Sequence, residues 1–66
     1  MCESSAYLIN KEGQEEKIMD YVIDIVPNAD GSLTLSDLLG GTRIVNGSLK
    51  EVKLLSHKIL IEEKAV

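Results

Sequence analysis

The sequence predicts an all-β fold: a small, partly open barrel of five to seven short strands, of the SH3-like or Sm-like kind. Three observations carry this expectation. Turn-forming stretches recur along the 66 residues, at 10–14, 27–32, 39–42 and 46–48. Each holds glycine and three also hold Asn or Asp, which supply positive φ or Asx-type turns. The segments between them are short and rich in Ile, Val, Leu and Tyr, as successive strands and hairpins are. Several of them alternate with a period of two, the signature of half-buried strands.

The elements follow in order. The stretch 18–27, IMDYVIDIVP, is almost continuously apolar and interrupted by Asp20 and Asp24. It reads as a long strand bent near Asp20–Tyr21, its halves joining different parts of a sheet. In SLTLSDL, Leu33 and Leu35 share one face while Thr34 and Ser36 take the other. LLGGT at 38–42 reads as a hairpin turn. Next comes SLKEVKLL at 48–55, which is ambiguous. Val52 and Leu54 alternate about Lys53, but Leu49, Val52 and Leu55 also fit a helix, with Ser48 and Glu51 at capping-box positions. A short turn running into a strand reconciles the two. In HKILIEE, Ile59 and Ile61 share a face, with Lys58, Leu60 and Glu62 opposite. The closing EEKAV is expected to fray. Closing such short strands into a barrel removes most free edges, and any edge left over invites pairing with another copy.

The length allows one domain, 1–66, with no linker, repeat or low-complexity segment. A chain this short buries only about 60% of its unfolded surface and usually needs a disulfide, a metal or a partner. One cysteine rules out a disulfide within the chain, so a metal or a second copy gains weight.

The net charge is −4 and the seven basic residues are scattered. Nucleic-acid binders carry a positive footprint that displaces counterions from phosphates, so this balance argues against them. Tyr7, Tyr21 and Arg43 make a poor platform for stacking bases, and at least one tyrosine is expected in the core. No signal peptide or membrane-length apolar run is evident, which points to the cytoplasm, where a free thiol stays reduced. The adjacent glutamates of GQEEK and IEEK point to opposite faces of a strand and do not pair for acid–base work. LLGGT lacks the lysine of a phosphate loop, and no context supports a Ser/His/Asp triad. No residue is read as catalytic, and the chain is read as a non-enzyme.

Cys2 is the candidate of greatest chemical interest. A thiolate beside an amine is activated by the neighbouring positive charge. If Met1 is removed, the Cys2 amine and thiolate form a five-membered chelate. If Met1 stays, its amine, the Cys2 amide nitrogen and the thiolate form fused rings. Such N/S donors suit Ni(II) or Cu(II) rather than Mg or Ca. One chain falls short of four donors, and two chains on a two-fold axis would complete the shell. The alternative is an unimportant tail residue, or a small hydrophobe at the start of the first strand. His57, the only histidine, has no second His or Cys at ligand spacing and is left outside the site.

The sequence resembles the CooT family over essentially its whole length, on three stretches: MCESSAYL at 1–8, LTLSDLLG at 33–40 and GSLKEVKLLSHKILIEE at 47–63. This resemblance implies a small barrel that forms a homodimer and binds Ni(II) through Cys2, with Met1 as a possible amine donor. It also implies an accessory role: carrying nickel to carbon monoxide dehydrogenase or another nickel enzyme as client. An Sm-like RNA-binding module and an interaction domain without a ligand are the alternative readings.

Overall fold

The computed structural model describes residues 3–64. They form seven strands: β1 (Ser5–Ile9), β2 (Glu15–Met19), β3 (Val22–Pro27), β4 (Leu33–Asp37), β5 (Thr42–Val45), β6 (Gly47–Lys53) and β7 (Lys58–Glu63). Two sheets result, one in the order β2-β1-β7-β6 and the other β3-β4-β5. All neighbours are antiparallel except β1 and β7, which run parallel with Tyr7 opposite Leu60. The barrel does not close, as expected of a partly open one.

The bend expected near Asp20–Tyr21 is where the chain changes sheets. β2 ends at Met19 in the first sheet and β3 begins at Val22 in the second. Tyr21 makes the corner with φ of 55°, a left-handed conformation that is uncommon for a residue with a side chain. The second crossing is tighter. Asn46 alone separates β5 from β6. The NGS stretch therefore acts as a crossing rather than a hairpin. Gly47 is needed there for space and not for positive φ. A Cβ on it would sit 2.6 Å from the Glu62 carbonyl oxygen and 2.9 Å from Ile61 Cγ2.

The alternating strands place their apolar residues as the period-two pattern predicts. Leu33 and Leu35 of β4 meet Ile59 and Ile61 of β7 in a core shared with Ala6, Met19, Val22 and Val45. Leu35 and Ile61 are wholly buried. Leu60 faces the other way yet is also buried, flanked in register by Tyr7 and Glu51.

Three expectations are corrected. The helical option for 48–55 gives way to β6, because β7 offers these residues a ladder from Gly47 to Lys53, with a bulge between Leu49 and Glu51 that absorbs the helix-like spacing. The fraying expected for EEKAV fails for its first three residues. Glu62 and Glu63 pair in β7, and the Lys64 N–H donates to the Asn46 carbonyl at 3.1 Å. Ala65 and Val66 lie outside the described residues. Neither tyrosine joins the core cluster. Tyr7 lies half-buried under the Lys58 ammonium, 4.7 Å from its ring centroid, and Tyr21 is 48% exposed.

Candidate functional site

Alternation of strand direction sorts the turns into two groups. The 10–14 and 28–32 turns, Asn46 and Lys64 share one end of the molecule. The 20–21, 38–41 and 54–57 turns share the other, together with the start of β1.

Four backbone bonds weld that second end together. The Ser5 N–H donates to the His57 carbonyl at 2.9 Å, and the Val22 N–H to the Ser4 carbonyl at 3.0 Å. The Leu38 N–H donates to the Tyr21 carbonyl at 2.9 Å and the His57 N–H to the Leu54 carbonyl at 3.3 Å. The chain therefore enters the fold at Ser4–Ser5, held between the Leu54–His57 turn on one side and the Tyr21 corner on the other. The only non-glycine residues with positive φ among those described, Tyr21 at 55° and His57 at 57°, flank this entry.

Side chains reinforce the same point. Ser5 Oγ donates to Asp20 Oδ1 at 2.8 Å, and Lys17 Nζ lies 3.3 Å from the same oxygen. The Ser5 hydroxyl first, and Lys17 second, hold the Asp20 carboxyl below the usual aspartate range. The neighbouring β4–β5 turn is shaped by Asp37, whose carboxylate accepts the Leu39 N–H at 2.9 Å and the Gly41 N–H at 2.8 Å. These bonds fix the turns, and the turn tips are apolar. Leu38, Leu39, Leu54 and Leu55 are all exposed, Leu39 to 85% and Leu55 completely.

The expected metal ligands, Cys2 and Met1, lie outside the described residues. Chain connectivity still bounds where position 2 can go. Glu3 alone lies between it and Ser4, so the two Cα atoms are at most about 7 Å apart. His57 lies on the rim of the same end, a neighbourhood that spacing along the sequence does not reveal. Among the described residues, no three His, Cys, Asp or Glu side chains gather as a metal site. Of the groups considered for stacking bases, Tyr7 is covered by Lys58 and Arg43 donates to the Ile18 carbonyl at 3.4 Å, while Tyr21 stays exposed at the corner. No helix among the described residues is long and apolar enough to cross a membrane.

The fold and this end define a class: a small all-β protein of two sheets whose chain enters among exposed apolar turns. The model of the CooT family, CO dehydrogenase accessory proteins, matches residues 1–62. The chain belongs to that family. It is also similar to a solved structure described as a putative CooT from Carboxydothermus hydrogenoformans. The identity is 30% and the TM-score 0.84, over 97% of this chain and 100% of the other. No curated protein matches the sequence.

Proposed function

We propose that this accessory protein carries Ni(II) for the maturation of a carbon monoxide dehydrogenase, and that it does no catalysis of its own. Two chains hold one ion. Each contributes the Cys2 thiolate and a nitrogen of the Met1–Cys2 segment, giving a four-donor N/S shell suited to this metal. The nickel is cargo, so the site must open. A terminal thiol can release its ion without disturbing a core, whereas a shell of four side chains inside one fold would hold it more firmly.

The observation that carries this reading is the family match, which includes position 2. The geometry supports it. The strand that follows position 2 is bonded at its first residues to turns of both sheets, which supports a ligand close to a well-held part of the chain. A single domain in the cytoplasm, working as a homodimer, completes the proposal.

Cys2→Ser tests it. Native mass spectrometry with added nickel should show one ion per two chains in the parent. The variant should show loss of stoichiometric nickel with an unchanged far-ultraviolet circular dichroism spectrum. A folded Cys2→Ser protein that keeps stoichiometric nickel would overturn the site.

A further inference from the structure

The fold uses two of the chain's three asparagines and leaves the third idle. Asn10 Oδ1 accepts the Glu12 and Gln14 N–H groups at 3.0 and 2.9 Å, and its Nδ2 donates to Gln14 Oε1 at 3.1 Å. Asn28 Nδ2 donates to Ser32 Oγ and Thr34 Oγ1. Asn46 is exposed, and among the described residues its side-chain amide enters no hydrogen bond. Its backbone does not call for asparagine either, since the non-glycine residues with positive φ among those described are Tyr21 and His57.

Asn46 is also the one asparagine followed by glycine. Lys11 follows Asn10 and Ala29 follows Asn28. Asparagine is a chemically labile residue. With no Cβ on the next residue, its side-chain carbonyl meets little resistance from that residue's backbone nitrogen.

The ladder leaves this nitrogen disengaged. Gly47 stands opposite Glu63 and Ser48 opposite Glu62, and the Lys64 N–H donates to the Asn46 carbonyl. Bonded and non-bonded pairs alternate along an antiparallel ladder. Gly47 and Glu63 are therefore a non-bonded pair, and the Gly47 N–H points away from β7. No strand pairs with β6 on its other side, and no turn or loop carbonyl among the described residues accepts this N–H.

We infer that Asn46 is a site of spontaneous deamidation, independent of any metal. The Gly47 nitrogen gives up its proton and attacks Asn46 Cγ. A C–N bond forms, the Cγ–Nδ2 bond breaks, and ammonia leaves a five-membered succinimide. Water then opens the ring. Breaking the new Cγ–N bond leaves an ordinary aspartate. Breaking the original peptide C–N bond leaves isoaspartate, whose main chain runs through Cβ and Cγ and is one atom longer. Nothing is oxidised or reduced.

The two products differ in what they do to the fold. Asn46 alone joins β5 to β6, and the crossing has no slack: a Cβ on Gly47 would already sit 2.6 Å from the Glu62 carbonyl oxygen. In isoaspartate the carbonyl that accepts the Lys64 N–H becomes a free carboxylate outside the main chain. Isoaspartate should loosen the crossing, whereas aspartate adds a charge and keeps the path of the chain.

Peptide mapping by mass spectrometry tests the site on the folded protein held in warm, mildly alkaline buffer. Asn46 should convert several-fold faster than Asn10 and Asn28, and faster as the pH rises. Asn46→Gln, which cannot close a five-membered ring, should stop conversion at this position with an unchanged circular dichroism spectrum. The isoaspartate fraction, separated by ion exchange, should unfold at lower urea than the parent, and Asn46→Asp should unfold close to the parent. Conversion no faster than at the other two asparagines overturns the assignment. Conversion in urea but not in the folded chain overturns the claim that the ladder leaves the Gly47 nitrogen open. An isoaspartate form as stable as the parent overturns the predicted strain at the crossing. The parent's time course decides the site even where a variant misfolds.

Discussion

The two ends of this molecule are built from the same kind of element, the tight turn, and treat their side chains in opposite ways. At the end with the 28–32 turn, polar groups are consumed by the fold. Asn28 Nδ2 donates to Ser32 Oγ at 3.0 Å and to Thr34 Oγ1 at 2.8 Å. Asp30 accepts both the Ser32 hydroxyl, at 2.7 Å, and its N–H, at 3.0 Å. Lys64 Nζ reaches the Gly31 carbonyl at 2.8 Å. At the other end the backbone is just as well bonded, but the tips are leucines that the described residues leave exposed. The first end completes the fold. The second uses the fold to hold apolar surface and a chain start in place.

This contrast can be broken most directly at Gly47, on the folded-in end. Gly47→Ala forces a Cβ against the Glu62 carbonyl and Ile61 at the point where the chain crosses between sheets. Overpacking of this kind costs about 1–3 kcal/mol. The measurement is urea denaturation at several protein concentrations, so that any association is separated from the stability of the fold. A negligible change would mean that the crossing is looser than the geometry implies and that this end is not the structural one.

Asn28→Ala is the next largest. It strips two hydrogen-bond partners from a cluster in which Ser32 is buried, at a cost of about 1–2 kcal/mol. Nickel uptake and dimer affinity should stay unchanged, since the substitution lies at the far end from the chain start. Weakened nickel binding without unfolding would show that the two ends are coupled.

Why the ends differ was only partly legible in the sequence. Alternation over 33–36 and 58–62 gave the inward faces of β4 and β7, because a strand's period is a local property. The bend at Asp20–Tyr21 could also be read, from the two acids interrupting a long apolar run. Non-local facts could not. The ladder that makes β6 a strand is provided by β7, so the helix-like spacing of Leu49, Val52 and Leu55 misled. The tie between Lys64 and the 28–32 turn joins residues 33 positions apart. The gathering of the two leucine turns around Ser4 depends on strand order, which turn composition does not encode. Cys2 and Met1 stand out in the sequence through their donor chemistry and the family resemblance. What the fold adds is the anchored entry at Ser4–Ser5 and the apolar turns around it.

The smallest effect expected is also one that treats the two ends alike. Each carries one aspartate held below its ordinary value. Asp20 is lowered chiefly by the Ser5 hydroxyl and then by Lys17, and Asp30 by the Ser32 hydroxyl and then its N–H. A carboxyl that is more acidic in the folded chain than in the unfolded one stabilises the fold above its unfolded value of about 3.9. That contribution disappears as the pH falls through the lower, folded value. Acid should therefore loosen both ends together, and both groups are so exposed that the loss is small. Carboxyl carbon shifts followed by NMR would resolve the two. Ser5→Ala should raise the Asp20 midpoint and leave Asp30 where it is. Ser32→Ala should do the reverse. An Asp20 midpoint indifferent to Ser5 would detach the carboxylate from the start of β1, and with it one of the restraints that hold Ser5 at the Asp20–Tyr21 corner.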